Sequence, residues 1–465
     1  MNVIVVILSL ILLVTIAYRG FSVILFAPVC ALVAMSTCEF SLIPGYTELF
    51  MGKAVVYIKS FFPIFLLGAV FGKLMEETGM AASIAKKVLS IMGKDKAILA
   101  TALACMILTY GGVSMFVCVF AIYPFASAMF KEADIPKRLI PAVMVMGVFT
   151  LTMDCAPGSP QIQNIIPTVY LGTTTYAAPK LGLICGIILV VISYVYLDWR
   201  RKSAIKQGEG YGNHVLNETI IEDNQVLPPW YLSIIPLITV LGINFFLSVI
   251  FSWNPDLIEP FKNMNLPLVA KSVKSVISLW SLIIGLVIAI LVAAAAGVRY
   301  IPKRSSLKAA LNAGAIGSLL AIMNTASEVG YGNVIATTPG FLEIADSLLN
   351  IGDGMPLFNA AIMVNLLAGV TGSASGGLSI ALEIFGQHWI EACTAMGIPV
   401  EVLHRIVAMA SGGLDSLPHN GGVITILAVC GLTHVESYKD IFAITVFKIL
   451  VAFFGVALFM ITGIV

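Results

Sequence analysis

Apolar runs as long as a bilayer is thick recur along the whole chain, and no other feature constrains the fold as strongly. Residues 2–17, 181–197 and 276–298 contain no charged side chain, and about 17–25 apolar residues are needed for a helix to cross a membrane. Of the 465 residues, 59% are hydrophobic and only 11% are charged, whereas about 25% of the residues of a soluble domain are charged. The sequence therefore predicts an all-α polytopic membrane protein embedded in a lipid bilayer.

Charge and cysteine content argue against several other classes of protein. The net charge is +1 and no Lys/Arg patch is interleaved with aromatic residues, so no nucleic-acid partner is predicted. The eight cysteines are scattered without a C-x-x-C pair, which indicates packing residues inside helices. No metal or other cofactor is predicted. Residues 1–17 lack a basic start and an A-x-A site and predict a first membrane helix, not a cleaved signal peptide.

One long hydrophilic stretch, residues 198–229, separates two apolar halves. We interpret residues 1–197 as a first membrane repeat, 198–229 as a cytoplasmic linker and 230–465 as a second repeat. Regions 139–171 and 402–430 are each expected to form one helix that is broken near its middle. With eight plain crossings, this gives about ten transmembrane helices. The plain crossings are expected at residues 2–17, 22–37, 54–74, 181–197, 230–252, 276–298, 307–323 and 441–465.

Two further apolar segments, 97–130 and 355–390, are interrupted by small polar residues. They contain 34 and 36 residues, whereas two full crossings with a turn need about 40. Each segment is therefore predicted to form a re-entrant hairpin. Non-helical backbone at membrane depth is tolerated there only if protein or a water-filled cavity satisfies it. A closely packed pair of short spanning helices is the alternative.

The positions of Lys and Arg predict the orientation of the chain. If both termini lie outside, the basic clusters at 73–96, 131–138, 200–206 and 299–304 all face the cytoplasm, as the positive-inside rule requires. The first half then makes five crossings. Because five is odd, a second half that repeats the first is inverted in the membrane.

Matching motifs in the two halves support such a repeat. Inverted repeats with interrupted helices mark the binding site of secondary transporters, near the membrane midplane. A separation of 263 residues relates Ile135-Pro136 to Ile398-Pro399, and 261 residues separate three other pairs. Those pairs are Asp154-x-x-Pro157 with Asp415-x-x-Pro418, Gly111 with Gly372, and Ser114 with Ser375.

Prolines break the helix in both central regions. Pro157, Pro160 and Pro418 remove backbone donors and clash with the preceding turn. Each break leaves a half-helix whose N-terminus points into the protein and favours an anion. A plain kinked helix is the alternative interpretation.

Amides, hydroxyls and hairpin-tip glycines at the same depth complete the predicted site. They form a cage with little fixed positive charge, which suits a carboxylate attached to several hydroxyls. Asn324 and Glu328 are predicted to support this site or to lie near the outer interface, without touching the substrate. The predicted substrate-binding residues are Gly111, Gly112, Ser114, Ser159, Gln161, Gln163, Asn164, Thr371, Ser373, Ser375, His419 and Asn420.

The two acids at the breaks, Asp154 and Asp415, need a separate explanation. An Asp at the bilayer centre costs about 2.5–3.5 kcal/mol, so membrane acids are usually functional. We predict that at least one of them carries a coupling proton, and capping of the following half-helix is the competing interpretation. Asp154 is favoured as the carrier, because His419 follows Asp415 by one helical turn and could hold it ionised.

At these motifs the sequence resembles the GntP family of gluconate and hydroxy-acid permeases. The resemblance is carried by "LTYGGVSMFVCVFAIYPFA", "PGSPQIQNIIPT" and "ASGGLDSLPHNGGVITILAVCGLTHVESYKDIF", and it is closest to the branch that takes 3-hydroxybutyrate. It implies a proton symporter of the bacterial inner membrane with inverted repeats, paired re-entrant hairpins, elevator-type movement and a homodimeric assembly.

Two competing functions follow from the same residues. A sodium-coupled carrier of di- or tricarboxylates would want extra cationic groups in the site, and the breaks offer none except His419. An intramembrane aspartyl protease would use the two Asp residues. However, the chain has no HExxH or GxSxG motif, so no enzyme is predicted.

Overall fold

Every regular element in the described part of the chain is a helix, which confirms the predicted all-α class. Some helices are joined directly by 3₁₀ or π turns. The computed structural model describes residues 2–19, 21–36, 41–214, 226–264, 268, 272–302, 306–341, 343, 354–418 and 420–465.

The first half contains nine helices among the described residues. A short turn of helix, Leu42–Pro44, and a π turn, Gly45–Phe50, lead into its third helix. The helices are α1 (Asn2–Tyr18), α2 (Val23–Met35), α3 (Met51–Glu77), α4 (Met80–Met92), α5 (Ala97–Tyr110), α6 (Met115–Glu132), α7 (Ile140–Val148), α8 (Ile162–Leu171) and α9 (Pro179–Lys206).

The last five helices of the second half follow the same order as the last five of the first half: a hairpin of two helices, a pair with an interruption between them, and one long helix. A short helix, Glu259–Lys262, lies in its first connection. The helices are α10 (Trp230–Phe245), α11 (Ile277–Gly297), α12 (Leu307–Ala336), α13 (Pro356–Thr371), α14 (Ala374–Ala395), α15 (Val400–Ser411), α16 (Gly421–Cys430) and α17 (His434–Thr462).

Eight helical segments among the described residues are long and apolar enough to cross a membrane. The protein is therefore a multi-pass membrane protein. The count of ten crossings, the re-entrant nature of the two hairpins and the inversion of the halves remain predictions.

Three helices extend well beyond the ends expected from the sequence. Helix α9 extends to Lys206 because Asp198 pairs with Arg201 and Lys202 one turn further on, both at 2.7 Å. Helix α17 starts at His434, where Thr433 and Glu436 form a capping box. Helix α12 continues past residue 323 to Ala336. The amphipathic helix α4 was not expected from the apolar runs.

Except for α4, which contacts both, the helices pack into two groups that meet at the middle of the molecule. We call α1, α2, α3, α10, α11 and α12 the framework group, and α5–α9 with α13–α17 the central group. Glycines bring α12 against α3: a Cβ on Gly314 would overlap Val70, and a Cβ on Gly330 would overlap the backbone of Phe50. The two helices are therefore antiparallel and in close contact over about four turns.

Candidate functional site

The two hairpins turn at glycines inside the molecule. Gly112 has a φ of +92° between α5 and α6, and Gly372 has a φ of +65° between α13 and α14. Only glycine adopts this left-handed region without strain. The first tip rests on the framework group, because Gly72 of α3 lies against Ser114.

The first break lies between α7 and α8. The chain forms a π turn at Leu151–Cys155 and is non-helical from Ala156 to Gln161, so the plain-kink interpretation is wrong here. Side chains satisfy the exposed carbonyls: Tyr110 donates to Pro157 O (2.9 Å), Asn244 to Gly158 O (3.4 Å), and Ser159 to Thr152 O. The break is thus stabilised by protein groups, as backbone at membrane depth requires.

The second break lies between α15 and α16, where Leu414–Ser416 forms a 3₁₀ turn. The side chain of Asn420 accepts from Val423 N (3.0 Å) and donates to Gly372 O (2.8 Å). It therefore caps α16 and ties the break to the second hairpin tip. His419, which the sequence assigned to the substrate, lies outside the described residues.

Four helices begin at one central cavity of about 650 Å³. Ser114, Gln161, Ser373 and Asn420 are the N-cap residues of α6, α8, α14 and α16, and all four line the cavity. The N-terminus of a helix carries roughly half a positive charge and unpaired N–H groups. The arrangement therefore favours an anion at the centre of the molecule.

The predicted site residues divide into those at the cavity wall and those behind it. Gly112, Ser114, Gln161, Gln163, Ser373, Ser375 and Asn420 line the cavity, as do Pro160 and Asp415. The others do not. Gly111 packs on Leu237, and Thr371 bonds to Leu367 O (2.8 Å) and Ser373 O (3.1 Å).

Asn164 lies in a fully buried network behind the cavity, not at its wall. It donates to Ser159 O and Thr175 O, both at 2.9 Å. Its side-chain oxygen accepts from Arg405 (3.1 Å) and lies 3.2 Å from His404 Nε2. Asn164 therefore joins the first break to α15. Nothing in the local sequence around Asn164 predicts this contact with residues 240 positions away.

A lysine that the sequence analysis missed contacts the acids of both breaks. Lys448 Nζ lies 3.2 Å from Asp154 Oδ2 and 3.0 Å from Asp415 Oδ1, and all three side chains are at most 2% exposed. Lys448 therefore adds a buried cation beside the breaks, although it does not line the cavity, whose cage was predicted to carry little fixed positive charge. A lone Lys within the apolar run of α17 was the signal for it.

The capping interpretation of the two acids is also wrong. Gln161 and Asn420, not Asp154 and Asp415, are the N-cap residues of α8 and α16. The Asp154 carboxylate instead lies so close to Gly412 that a Cβ there would overlap it. The two breaks are thus in direct contact.

Asn324 and Glu328 of α12 occupy a different place from the one predicted. Both line the cavity, and Glu328 is only 6% exposed. The sequence predicted that they support the site from behind or lie near the outer interface, because it predicted the end of α12 at residue 323. The longer helix carries them along the inner face of the framework group.

Comparison with known proteins identifies the family. The model of the GntP family permeases matches residues 1–285. The chain belongs to the GntP permease family. It is 45% identical over 476 aligned positions, covering 100% of both chains, to the uncharacterized transporter YxjC of Bacillus subtilis. It is 27% identical over 178 residues to an uncharacterized transporter of Haemophilus influenzae, which covers 38% of this chain and 40% of that protein.

Solved structures share the fold of this GntP permease at low sequence identity. The YdaH transporter of Alcanivorax borkumensis has a TM-score of 0.59 at 14% identity, over 90% of this chain and 89% of that one. MtrF of Neisseria gonorrhoeae, described as one of a class of antimetabolite efflux pumps, has a TM-score of 0.56 at 13% identity, over 98% and 94%. The protein is a multi-pass membrane transporter of the GntP family.

Proposed function

We propose that this permease imports a small hydroxy-monocarboxylate, of the gluconate or 3-hydroxybutyrate type, by proton symport. The observation that carries the proposal is the convergence of four helix N-termini on one central cavity. Its volume of about 650 Å³ is within the usual range for small-molecule sites, about 300–1,000 Å³. Hydroxyls and amides of Ser114, Gln163 and Ser375 at its wall suit the hydroxyl groups of such a substrate.

The charges around the cavity favour one substrate carboxylate over two or three. Lys73 is the cation in the described cavity wall, and it already pairs with Glu76 at 3.0 Å and Glu77 at 3.1 Å. Lys448 and Arg405 are buried behind the wall and hold other partners. A citrate-type substrate with sodium coupling, the runner-up, would meet no unpaired cation among the described wall residues.

The sequence predicts that at least one of Asp154 and Asp415 carries the proton, with Asp154 favoured. Either one exchanges a proton only at the expense of its ion pair with Lys448. The same pairs argue against an aspartyl protease, because a catalytic pair of Asp residues shares a proton and has no lysine on each carboxylate.

Elevator-type alternating access fits the division into two groups. We propose that the central group carries the substrate and slides past α3 and α12 of the framework group. The bacterial inner membrane, the direction of import and a homodimeric assembly are proposed from the family resemblance alone.

Uptake into proteoliposomes tests the proposal. Gluconate, 3-hydroxybutyrate, lactate and citrate are compared under an imposed pH gradient and, separately, an imposed sodium gradient. We expect a pH gradient to drive accumulation of a hydroxy-monocarboxylate. Ser114→Ala should weaken uptake through a higher KM, whereas Ser90→Ala, a matched change at an exposed position of α4, should not. Citrate accumulation driven only by sodium would overturn the proposal.

A further inference from the structure

Glu328 of α12 lies in the cavity wall against the start of α14. Its Oε2 lies so close to Gly376 that a Cβ on this glycine would overlap it. Gly376 is the third residue of α14, and its N–H donates to the N-cap side chain of Ser373 at 3.1 Å. The carboxyl group of Glu328 is therefore at one of the four helix N-termini that a substrate anion would use.

No cation offsets this carboxyl group within the described structure. The buried Oε2 has no hydrogen-bond partner, and none of the described ion pairs includes Glu328. By contrast, Asp154 and Asp415 pair with Lys448, and Glu383 of α14 pairs with Lys53 of α3 at 2.6 Å. Glu328 is thus the acid of the cavity wall that can gain or lose a proton without breaking an ion pair.

The surrounding titratable groups do not change this assignment. Tyr57 faces Glu328 from α3 and is uncharged at neutral pH. On α2, which also packs on α12, Cys30 is the titratable side chain. On α14 the first titratable side chain after Gly376 is Glu383, already paired with Lys53, and His388, Glu391 and Cys393 follow further along the helix. Lys73 and Asp415 at other parts of the cavity wall are paired as well.

We propose that Glu328 is the group whose protonation couples to substrate binding. A substrate carboxylate at the N-terminus of α14 would lie beside the Glu328 carboxylate, and two like charges in one buried site disfavour each other. Binding of the anion therefore takes up a proton from water onto Glu328, and release of the anion returns the proton to water. This inference rests on the proposed function, since it needs an anionic substrate.

Proton uptake on binding tests the inference directly. Substrate, either gluconate or 3-hydroxybutyrate as identified by uptake, is added to purified protein in weakly buffered detergent solution with a pH-indicator dye. Burial without a cation favours the neutral form of a carboxyl group, so the measurement is made at mildly alkaline pH, where Glu328 of the empty site is ionised. We expect the wild type to take up protons, at most one per bound anion, and Glu328→Gln to bind the anion with no proton uptake. Glu391→Gln, the same change at an exposed position of α14, should behave as the wild type. Proton uptake by Glu328→Gln equal to that of the wild type would overturn the inference.

Transport separates failure of this inference from failure of the proposed function. Glu328→Gln should lose accumulation driven by a pH gradient and keep exchange of substrate across the membrane, because exchange needs no net movement of protons. If the wild type shows no pH-driven accumulation, proton symport itself is wrong. If the wild type accumulates substrate and Glu328→Gln does so equally, Glu328 is not the coupling residue. If Asp154→Asn or Asp415→Asn loses accumulation instead, the coupling proton is carried by an acid of the helix breaks.

Discussion

At the scale of the residue, Lys448 has an unusual set of partners. Its ammonium contacts a carboxylate from each break and lies 5.4 Å from the ring centre of Phe149. Two carboxylates and one ammonium leave a negative excess if all three are ionised. A buried ion pair contributes little to stability compared with a packed apolar group, but removing one partner leaves a buried charge uncompensated. The cost of losing Lys448 should therefore exceed that of losing an ordinary surface lysine.

Replacement of this lysine tests that expectation. Lys448→Met should lower the free energy of unfolding by about 3–5 kcal/mol, because it leaves two buried carboxylates without a cation. Thermal unfolding in detergent, followed by tryptophan fluorescence, should show a lower Tm. Asp415→Asn in the Lys448→Met background should recover part of the loss. Lys180→Met, at an exposed position of α9, provides the control, and a Tm of Lys448→Met equal to that of this control would contradict the prediction.

At the scale of the element, the contact of α12 with α3 depends on small residues where the two backbones approach each other. Gly314 has no room for a side chain, since a Cβ would lie 2.6 Å from Val70 Cα, whereas nothing lies within 4 Å of a Cβ on Gly317. Both glycines are on α12, three residues apart. The same substitution at the two positions therefore separates close packing from the general effect of removing a glycine.

Gly314→Ala should be destabilising and Gly317→Ala should not. Overpacking of a buried contact costs typically about 1–3 kcal/mol, while an alanine in an open helical position gains about 0.5–1 kcal/mol over glycine. Thermal unfolding of the two variants in the same detergent compares them. Equal Tm values would show that α12 and α3 separate enough to accommodate the methyl group.

The helix breaks were predictable from sequence and the partners of the acids were not. Pro157, Pro160 and Pro418 act on their own turns, so a local pattern identifies the breaks. Lys448 and Asp154 meet only because α17 folds back against the first half, which no local pattern encodes. The position of Glu328 was not predicted, for a related reason. The stretch "NTASEVGYGN" contains polar and glycine residues typical of a helix end, but packing against α3 keeps this stretch helical.

At the scale of the whole molecule, the cavity lies where the framework and central groups meet. Among the described ion pairs, Lys53–Glu383 joins α3 of one group to α14 of the other. Movement of one group past the other would have to break this pair in every cycle. The direction of such movement depends on the orientation of the chain, which the distribution of Lys and Arg predicts.

Cysteine labelling tests the orientation. In a background without the native cysteines, single cysteines at Gln207 and Val465 are labelled from either side of sealed vesicles. We expect Gln207 to react from the cytoplasmic side, because it follows the basic end of α9, and Val465 to react from outside. Labelling of both positions from the same side would refute an odd number of crossings between them.

The contact of Lys448 with both breaks also bears on how the protein is made. Asp154 enters the membrane with the first half, but its cation lies 294 residues later. At about 5–20 residues per second, synthesis of the intervening chain takes roughly 15–60 s. During that interval Asp154 has no Lys448 with which to pair. A ribosome that stalls before α17 would therefore leave a membrane-inserted chain with an unpaired acid, a ready substrate for the proteases that remove incomplete membrane proteins.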